Sequence, residues 1–312
     1  MINPELQPFL ADWARLWAEL PQPAEPAQRR AHFETVAMRM RQPTPDGIRT
    51  DEEHRIEVPG SDRSVRVRIF RPVGTAPRPA LIYMHGGAWM QGSPETHWDI
   101  TSRIAAACDQ VVISVDYALA PEQPFPAAVN DCQAVVRWCF GQARELGVRA
   151  DSIAVGGDSA GGNLAAAMTL LFRGSDIRLK AQLLIYPGVE FRLDRPSHIA
   201  NANGPIINVA SMPAVDAAYC PNPDDMRNPL AAPLLAASHA GLPPAFVAVA
   251  EHDPLRDGGR AYAQALRDAG GVVEIDEGPG LIHGYLRAMA YCADSRRVLE
   301  RMCNWLRESQ AT

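Results

Sequence analysis

Ser152-Ile153-Ala154-Val155-Gly156-Gly157-Asp158-Ser159-Ala160-Gly161-Gly162-Asn163-Leu164 is the stretch that decides how the chain folds. Ile153 to Val155 is a short apolar run beside glycines, the pattern of a buried central strand. From Ala160 onward Ala, Leu and Met dominate, with Asn163 the lone early polar residue, and this composition predicts a helix. Between the two stands Gly157-x-Ser159-x-Gly161. A chain that turns this sharply from strand into helix strains the serine's backbone, and small neighbours are needed because strand and helix nearly touch. The turn lifts the serine oxygen above the sheet and aims the first helical amides at whatever bonds to it. Chance alone puts Gly-x-Ser-x-Gly in a chain of this length on the order of one time in ten. The strand before it and the helix after it are what make Ser159 a candidate nucleophile.

Working outward, the chain alternates between strand and helix patterns. Toward the N-terminus, Leu81-Ile82-Tyr83-Met84 is continuously apolar and reads as a central strand running into His85-Gly86-Gly87-Ala88-Trp89. Val65, Val67 and Ile69 alternate with Arg66 and Arg68, which predicts a half-exposed antiparallel strand near an edge. A strand near 55–58 precedes it. Before these, Leu6, Phe9, Leu10, Trp13, Leu16, Trp17 and Leu20 form a helical stripe ended by prolines, and Phe33, Val36, Ala37 and Met40 suggest a second helix. These helices pack on the core or roof a pocket, with Trp13 and Trp17 as candidate lining. A strand at 111–115 and a helix at about 126–147 lead into the Ser159 segment.

Beyond it, Leu183 to Tyr186 reads as another strand. Residues 189–240 then break the rhythm with seven prolines and no obvious strand. Structureless loops of that length are uncommon inside a compact domain, so an inserted helical lid is expected. Alternation resumes with a strand at 246–249, a helix at 257–270, a strand at 272–276 and a closing helix from about 285 to 308. The whole predicts a mainly parallel, twisted sheet of about eight strands covered on both faces by helices.

Composition narrows the function. The 312 residues are 47% hydrophobic, enough for a substantial core, and the net charge of −6 comes without any basic run that would suit nucleic acid. No apolar stretch approaches the ~20 residues of a membrane span. The N-terminal ten residues lack the features of a signal peptide, and a cytoplasmic protein is expected. Six cysteines at 108, 132, 139, 220, 292 and 303 form no C-x-x-C and read as reduced core residues. No spacing favours a metal site, and no cofactor is expected.

A serine hydroxyl needs a base to take its proton, and the base needs orienting. Of the eight histidines, His283 in Gly280-Leu281-Ile282-His283-Gly284-Tyr285 sits just past the last strand, where a loop can bring an imidazole to Ser159. For the acid, Glu251, Asp253 and Asp257 all follow the strand at 246–249, and position alone does not choose among them. Asp257 also suits the first turn of the helix that follows. His85-Gly86-Gly87-Ala88 offers unobstructed backbone N–H groups that could meet an oxyanion together with the amide of Ala160.

Taken together, His85-Gly86-Gly87-Ala88-Trp89, Asp116-Tyr117-Ala118-Leu119-Ala120-Pro121-Glu122, Phe125-Pro126-Ala127-Ala128, Gly157-Asp158-Ser159-Ala160-Gly161-Gly162, Asp253-Pro254-Leu255-Arg256-Asp257 and His283-Gly284-Tyr285 resemble the hormone-sensitive-lipase-like branch of the α/β-hydrolases. That branch holds many bacterial carboxylesterases and acetyl esterases. The resemblance implies Ser159 as nucleophile, Asp253 as acid and His283 as base, with Gly86, Gly87 and Ala160 supplying the oxyanion amides. It further implies one α/β-hydrolase domain over 1–312, with a cap built from about 1–50 and about 189–240. The implied activity is hydrolysis of short- to medium-chain acyl esters through an acyl-enzyme. An amidase or formamidase with the same triad is the alternative, and a non-catalytic small-molecule receptor on the same fold is the alternative of another class. The implied partner is a small-molecule ester, with a homodimer through the last strand also open.

Two departures carry their own expectations. The usual arginine after Asp116-Tyr117 is Ala118, so a structural ion pair near Glu122 is expected to be absent. Ala88 replaces the third glycine of the usual loop. If its φ is negative, the loop leaves room for esters of tertiary alcohols.

Overall fold

The computed structural model describes residues 1–311. The N-terminal stripe forms α1 (Leu6–Trp17), which buries Leu6, Phe9 and Leu16. After the prolines comes α2 (Pro26–Met40), whose Pro26 sits in the first turn, where a missing N–H is harmless. The chain then runs through β1 (Ile48–Glu57), β2 (Ser64–Pro72), β3 (Arg78–Met84), α3 (Trp98–Cys108), β4 (Val111–Asp116), α4 (Ala127–Gly141), β5 (Val148–Asp158) and α5 (Ala160–Phe172). It continues with β6 (Gln182–Ile185), α6 (Pro196–Ala200), α7 (Met212–Tyr219), β7 (Ala245–Ala248), α8 (Arg256–Asp268), β8 (Val273–Asp276) and α9 (Ala293–Ala311).

The eight strands make one sheet in the order β1-β2-β4-β3-β5-β6-β7-β8. β2 is antiparallel to both β1 and β4, and every later pairing is parallel. Alternate residues of the central strands feed two cores. Ile82, Ile113, Val155 and Val247 face α4, α5 and α8, while Leu81, Val112, Ala154 and Phe246 face α1, α3 and α9. Strands buried on both faces explain the unbroken apolar runs in the sequence. The architecture is the one the resemblance implied.

Three boundaries and one exposure differ from the sequence expectation. β1 begins at Ile48, well before the strand expected near 55, because an edge strand covers only one face and its other side carries Arg49, Asp51 and Arg55 in solvent. Within β2, Arg66 and Arg68 are only about one-fifth exposed, at 20% and 17%, because Glu53 and Glu95 enclose them. α4 stops at Gly141, where the chain bends toward β5 through Gly147 at a φ of 60°. The closing helix starts at Ala293, since Gly284 takes a left-handed φ of 74° and residues 285–288 make a separate 3-10 turn. Between β6 and β7 the proline-rich segment folds as α6, α7 and three 3-10 turns. All six cysteines are buried and carry free thiols. Among the described residues no helix is long and apolar enough to cross a membrane.

The turn from β5 into α5 explains the two outer glycines of Gly157-x-Ser159-x-Gly161. A Cβ at Gly157 would lie 2.3 Å from the carbonyl oxygen of Met84, and one at Gly161 would lie 1.9 Å from the same atom. The end of β3 therefore presses against the start of α5 with no side chain between them. Gly161→Ala is expected to cost about 3 kcal/mol or more, because the obstacle is backbone and cannot rotate away. Urea unfolding measures this, and an unchanged midpoint would mean that α5 can slide off β3.

Candidate active site

The carboxyl ends of the parallel strands carry the chemistry. β3 leads into His85, β5 into Ser159, β7 into Asp253 and β8 into the loop with His283, so all meet at one rim of the sheet. Ser159 has φ 57° and ψ −119°, a conformation that strains any residue with a side chain. Its N–H donates to Ile185 O at 2.8 Å, and its own carbonyl accepts from Asn163 N at 3.1 Å, which hold it there.

Ser159 Oγ lies 2.9 Å from His283 Nε2, and His283 Nδ1 lies 2.8 Å from Asp253 Oδ2. Asp253 is wholly buried, and its second oxygen accepts Leu255 N–H at 2.8 Å. A carboxylate can only accept, so Nδ1 carries a proton and Nε2 is left to accept from the serine hydroxyl. The other two carboxylates that position leaves open are engaged elsewhere. Glu251 accepts Gly280 N–H at 2.7 Å and steadies the loop that carries His283. Asp257 accepts Ser197 N–H at 2.8 Å and pairs with Arg256.

Asp158 neighbours Ser159 in sequence but faces the opposite way. Its Oδ1 accepts Tyr83 O–H at 2.8 Å and Gly86 N–H at 2.9 Å. His97 Nε2 lies 3.3 Å from the same oxygen and accepts from Arg287 Nη2 at 2.7 Å. Burial opposes the charge on Asp158, yet the Arg287 guanidinium and the Tyr83 hydroxyl hold its carboxyl well below the usual carboxylate range. His97 Nδ1 donates to Thr96 Oγ1 at 2.8 Å, whose own proton goes to Ser93 O. Burial lowers the pKa of His97, and burial together with neighbouring His97 pushes His85 down to about 3. Both rings are neutral at neutral pH.

The resemblance places Gly86 among the oxyanion donors, and the structure corrects this. Its N–H is already spent on Asp158, whereas the amides of Gly87, Ala88 and Ala160 have no partner within the chain among the described residues. Ala88 also departs from expectation, with a φ of 55° where a negative value is the condition for room at a tertiary alcohol. Alanine in that region costs about 1 kcal/mol. The third correction concerns Glu122, which is paired after all. Arg30 from α2 reaches it at 2.6 Å and also donates to Met90 O and Ala120 O, both at 2.8 Å.

Ser159 lies between two cavities. The larger, about 380 Å³, is walled by Trp13, Trp17, Phe33, Tyr186 and Ile206 and contains His283. The smaller, about 80 Å³, is walled by Trp89, Met212, Val215 and Leu255, and Ala88 borders both. Trp13 and Trp17 are thus pocket lining as well as packing, and Arg287 lines the larger space too. Among the described residues no three His, Cys, Asp or Glu side chains converge as a metal site requires.

A family model described as alpha/beta hydrolase fold matches residues 81–287. The chain belongs to the α/β-hydrolase family. Its branch is the hormone-sensitive-lipase-like one. This hydrolase is 42% identical to carboxylesterase NlhH of Mycobacterium tuberculosis over 227 residues, 71% of each chain. It is 38% identical to an arylesterase of Saccharolobus solfataricus over 232 residues, 72% of this chain and 74% of that one. Among solved structures, an ester-hydrolase from the metagenome of Lake Arreo, in complex with a bipyridine phosphonate derivative, superposes with a TM-score of 0.90. That pair is 34% identical over the full length of both chains.

Several residues of the hydrolase's site carry no sequence signal. Arg30 and Arg287 lie on surface-like helical or loop segments, and His97 stands in a motif-free stretch between β3 and α3. Only their partners in space give them a role.

The hydrogen bonds of the three candidate acids separate them experimentally. Asp253→Asn should leave the fold intact and lower kcat by about 10³–10⁴-fold, the loss that the same change causes in the aspartate of a serine-protease triad. Glu251→Gln and Asp257→Asn should lose far less, and equal losses in steady-state assays of all three would overturn the distinction. A second expectation concerns acid. The folded-state pKa of His85 is depressed, so the unfolded chain takes up that proton first; the stability is complete above about pH 6.5 and falls as pH drops. Between pH 6.5 and 5 this one group should remove about 2 kcal/mol, at about 1.4 kcal/mol per pH unit. Urea unfolding at several pH values checks it, and His85→Gln should show a shallower slope.

Proposed function

We propose that this hydrolase is a serine carboxylesterase acting on short- to medium-chain acyl esters through an acyl-enzyme. The observation that carries the proposal is the unbroken chain Ser159 Oγ–His283 Nε2 at 2.9 Å and His283 Nδ1–Asp253 Oδ2 at 2.8 Å, opening on a cavity. His283 takes the proton of Ser159 as Oγ attacks the ester carbonyl. The carbonyl oxygen becomes an oxyanion facing the amides of Gly87, Ala88 and Ala160. As the tetrahedral carbon collapses, the C–O bond to the alcohol breaks, and His283 hands its proton to the departing oxygen. Water then gives a proton to His283 and attacks the acyl-serine, releasing the acid and restoring the hydroxyl. Throughout, Asp253 keeps Nδ1–H in place and balances the transient imidazolium charge.

The two cavities divide the substrate between them. The leaving oxygen must reach His283 Nε2, and His283 lines only the larger cavity, so the alcohol departs there. The acyl group is left to the smaller cavity beside Ala160, and its volume of about 80 Å³ favours short chains. In this reading α1 and α2, with the helical segment between β6 and β7, act as a cap over the site. β8 at the sheet edge is where a second copy would pair.

The relatives named as carboxylesterase and arylesterase support ester over amide as the bond cleaved. The test is a series of p-nitrophenyl esters from acetate to laurate beside the matching anilides. Rates should peak between acetate and octanoate and fall by about tenfold or more at laurate. A phosphonate probe should add once, on the Ser159 peptide, and not at all in Ser159→Ala. Anilide turnover above ester turnover, or labelling that survives the substitution, would overturn the proposal.

A further inference from the structure

The smaller cavity has one wall that does not suit a plain hydrocarbon. On α7, Met212, Val215, Asp216 and Tyr219 follow the spacing of a buried helical stripe, and one of the four is a carboxylate. Asp216 is 8% exposed and lines the cavity beside Ser159. Among the described residues its carboxyl has no hydrogen-bond or ion-pair partner. The other acid on the wall, Glu190, is neutralised by Arg195, and no Lys, Arg or His lines the cavity. Burial alone raises Asp216 to about 7. A buried, unpartnered carboxyl destabilises a fold, so its place in the stripe calls for a partner from outside the chain.

An aromatic pair stands beside it. Trp89 Nε1–H is buried without an acceptor, while its ring stacks on Tyr219 with centroids 4.3 Å apart. The cavity thus offers one unsatisfied acceptor, the Asp216 carboxyl, on a wall whose other charged group is already paired. A hydroxyl on the acyl chain can donate to that carboxyl. An ammonium can donate too, but it brings the full desolvation penalty of a cation.

We propose that Asp216 makes the smaller cavity selective for short acyl chains that carry a hydroxyl group, so that hydroxyacyl esters are the preferred substrates. This rests on the esterase reading and on the assignment of the acyl group to that cavity. Asp216 takes no part in the proton transfers at Ser159. It selects which acyl group settles there.

The experiment compares ethyl 3-hydroxybutyrate, ethyl butyrate and ethyl 3-aminobutyrate by pH-stat, in the wild type, Ser159→Ala and Asp216→Val. The wild type should favour the hydroxy ester over the butyrate ester by about tenfold in kcat/KM, the size expected for one satisfied buried hydrogen bond. In Asp216→Val that ratio should invert, with the butyrate ester gaining and the hydroxy ester losing. The variant's Tm should rise, because an unpaired buried carboxyl has been removed. The same ratio in wild type and Asp216→Val, a preference confined to the amino ester, or a lowered Tm would each overturn the inference while leaving the esterase intact. If wild type cleaves none of the three, or cleaves them no better than Ser159→Ala, the esterase reading itself has failed.

Discussion

The backbone contact between the end of β3 and the start of α5 is the constraint on which the rest depends. Met84 O sits where any side chain at Gly157 or Gly161 would have to go. This closeness forces the chain to reverse within one residue, and that residue is Ser159 in its strained conformation. The next residue of β3's exit is His85, followed by the glycine loop. One contact therefore sets both the height of the serine oxygen and the nearness of the amides that would face its tetrahedral adduct. Strain at Ser159, in the range of about 1–3 kcal/mol, is held by the packing of α5, which is buried along nearly its whole length.

Two buried carboxylates flank that serine and do different work. Asp253 meets a single titratable partner, His283, and its other oxygen is met by backbone. Asp158 is met instead by donors from two separate elements, the hydroxyl of Tyr83 on β3 and the amide of the glycine loop, with the Arg287 guanidinium nearby behind His97. A charge buried this deeply is tolerated only when its surroundings are this complete. The arrangement locks Gly86, and with it the turn that leaves Gly87 and Ala88 free. The proposed proton path and the rigid frame around it thus use adjacent residues, Ser159 and Asp158, pointing in opposite directions.

Much of this is legible in the sequence. The strand, the serine turn and the helix can be read from Gly157 to Leu164 because steric necessity leaves few other sequences. His283 can be placed because loops after the last parallel strand can reach the rim. The choice of Asp253 over Glu251 and Asp257 comes from the family resemblance, since all three share one loop and only their hydrogen bonds separate them. Gly86 is misassigned for the same kind of reason: three successive amides look alike until Asp158 is seen to take one. Only half of β1 shows in the sequence, because an edge strand with alternating charges has no apolar run. The sign of φ at Ala88 lies outside what composition can convey, being decided by the loop's closure rather than by the residue.

Arg30 gives the molecule a property of a different kind. Its guanidinium joins α2 to Met90, Ala120 and Glu122, in segments that follow the glycine loop. In the pattern that this chain resembles, the partner for that glutamate is supplied by the arginine position now held by Ala118, inside the same segment. Here it comes from a helix outside residues 81–287, the part that the family model matches. The N-terminal helices are therefore not an interchangeable lid fitted to a finished catalytic body. A graft of the first fifty residues from a relative would bring a new roof and at the same time remove a strut from beneath the oxyanion loop. In this chain, the two parts are braced against one another.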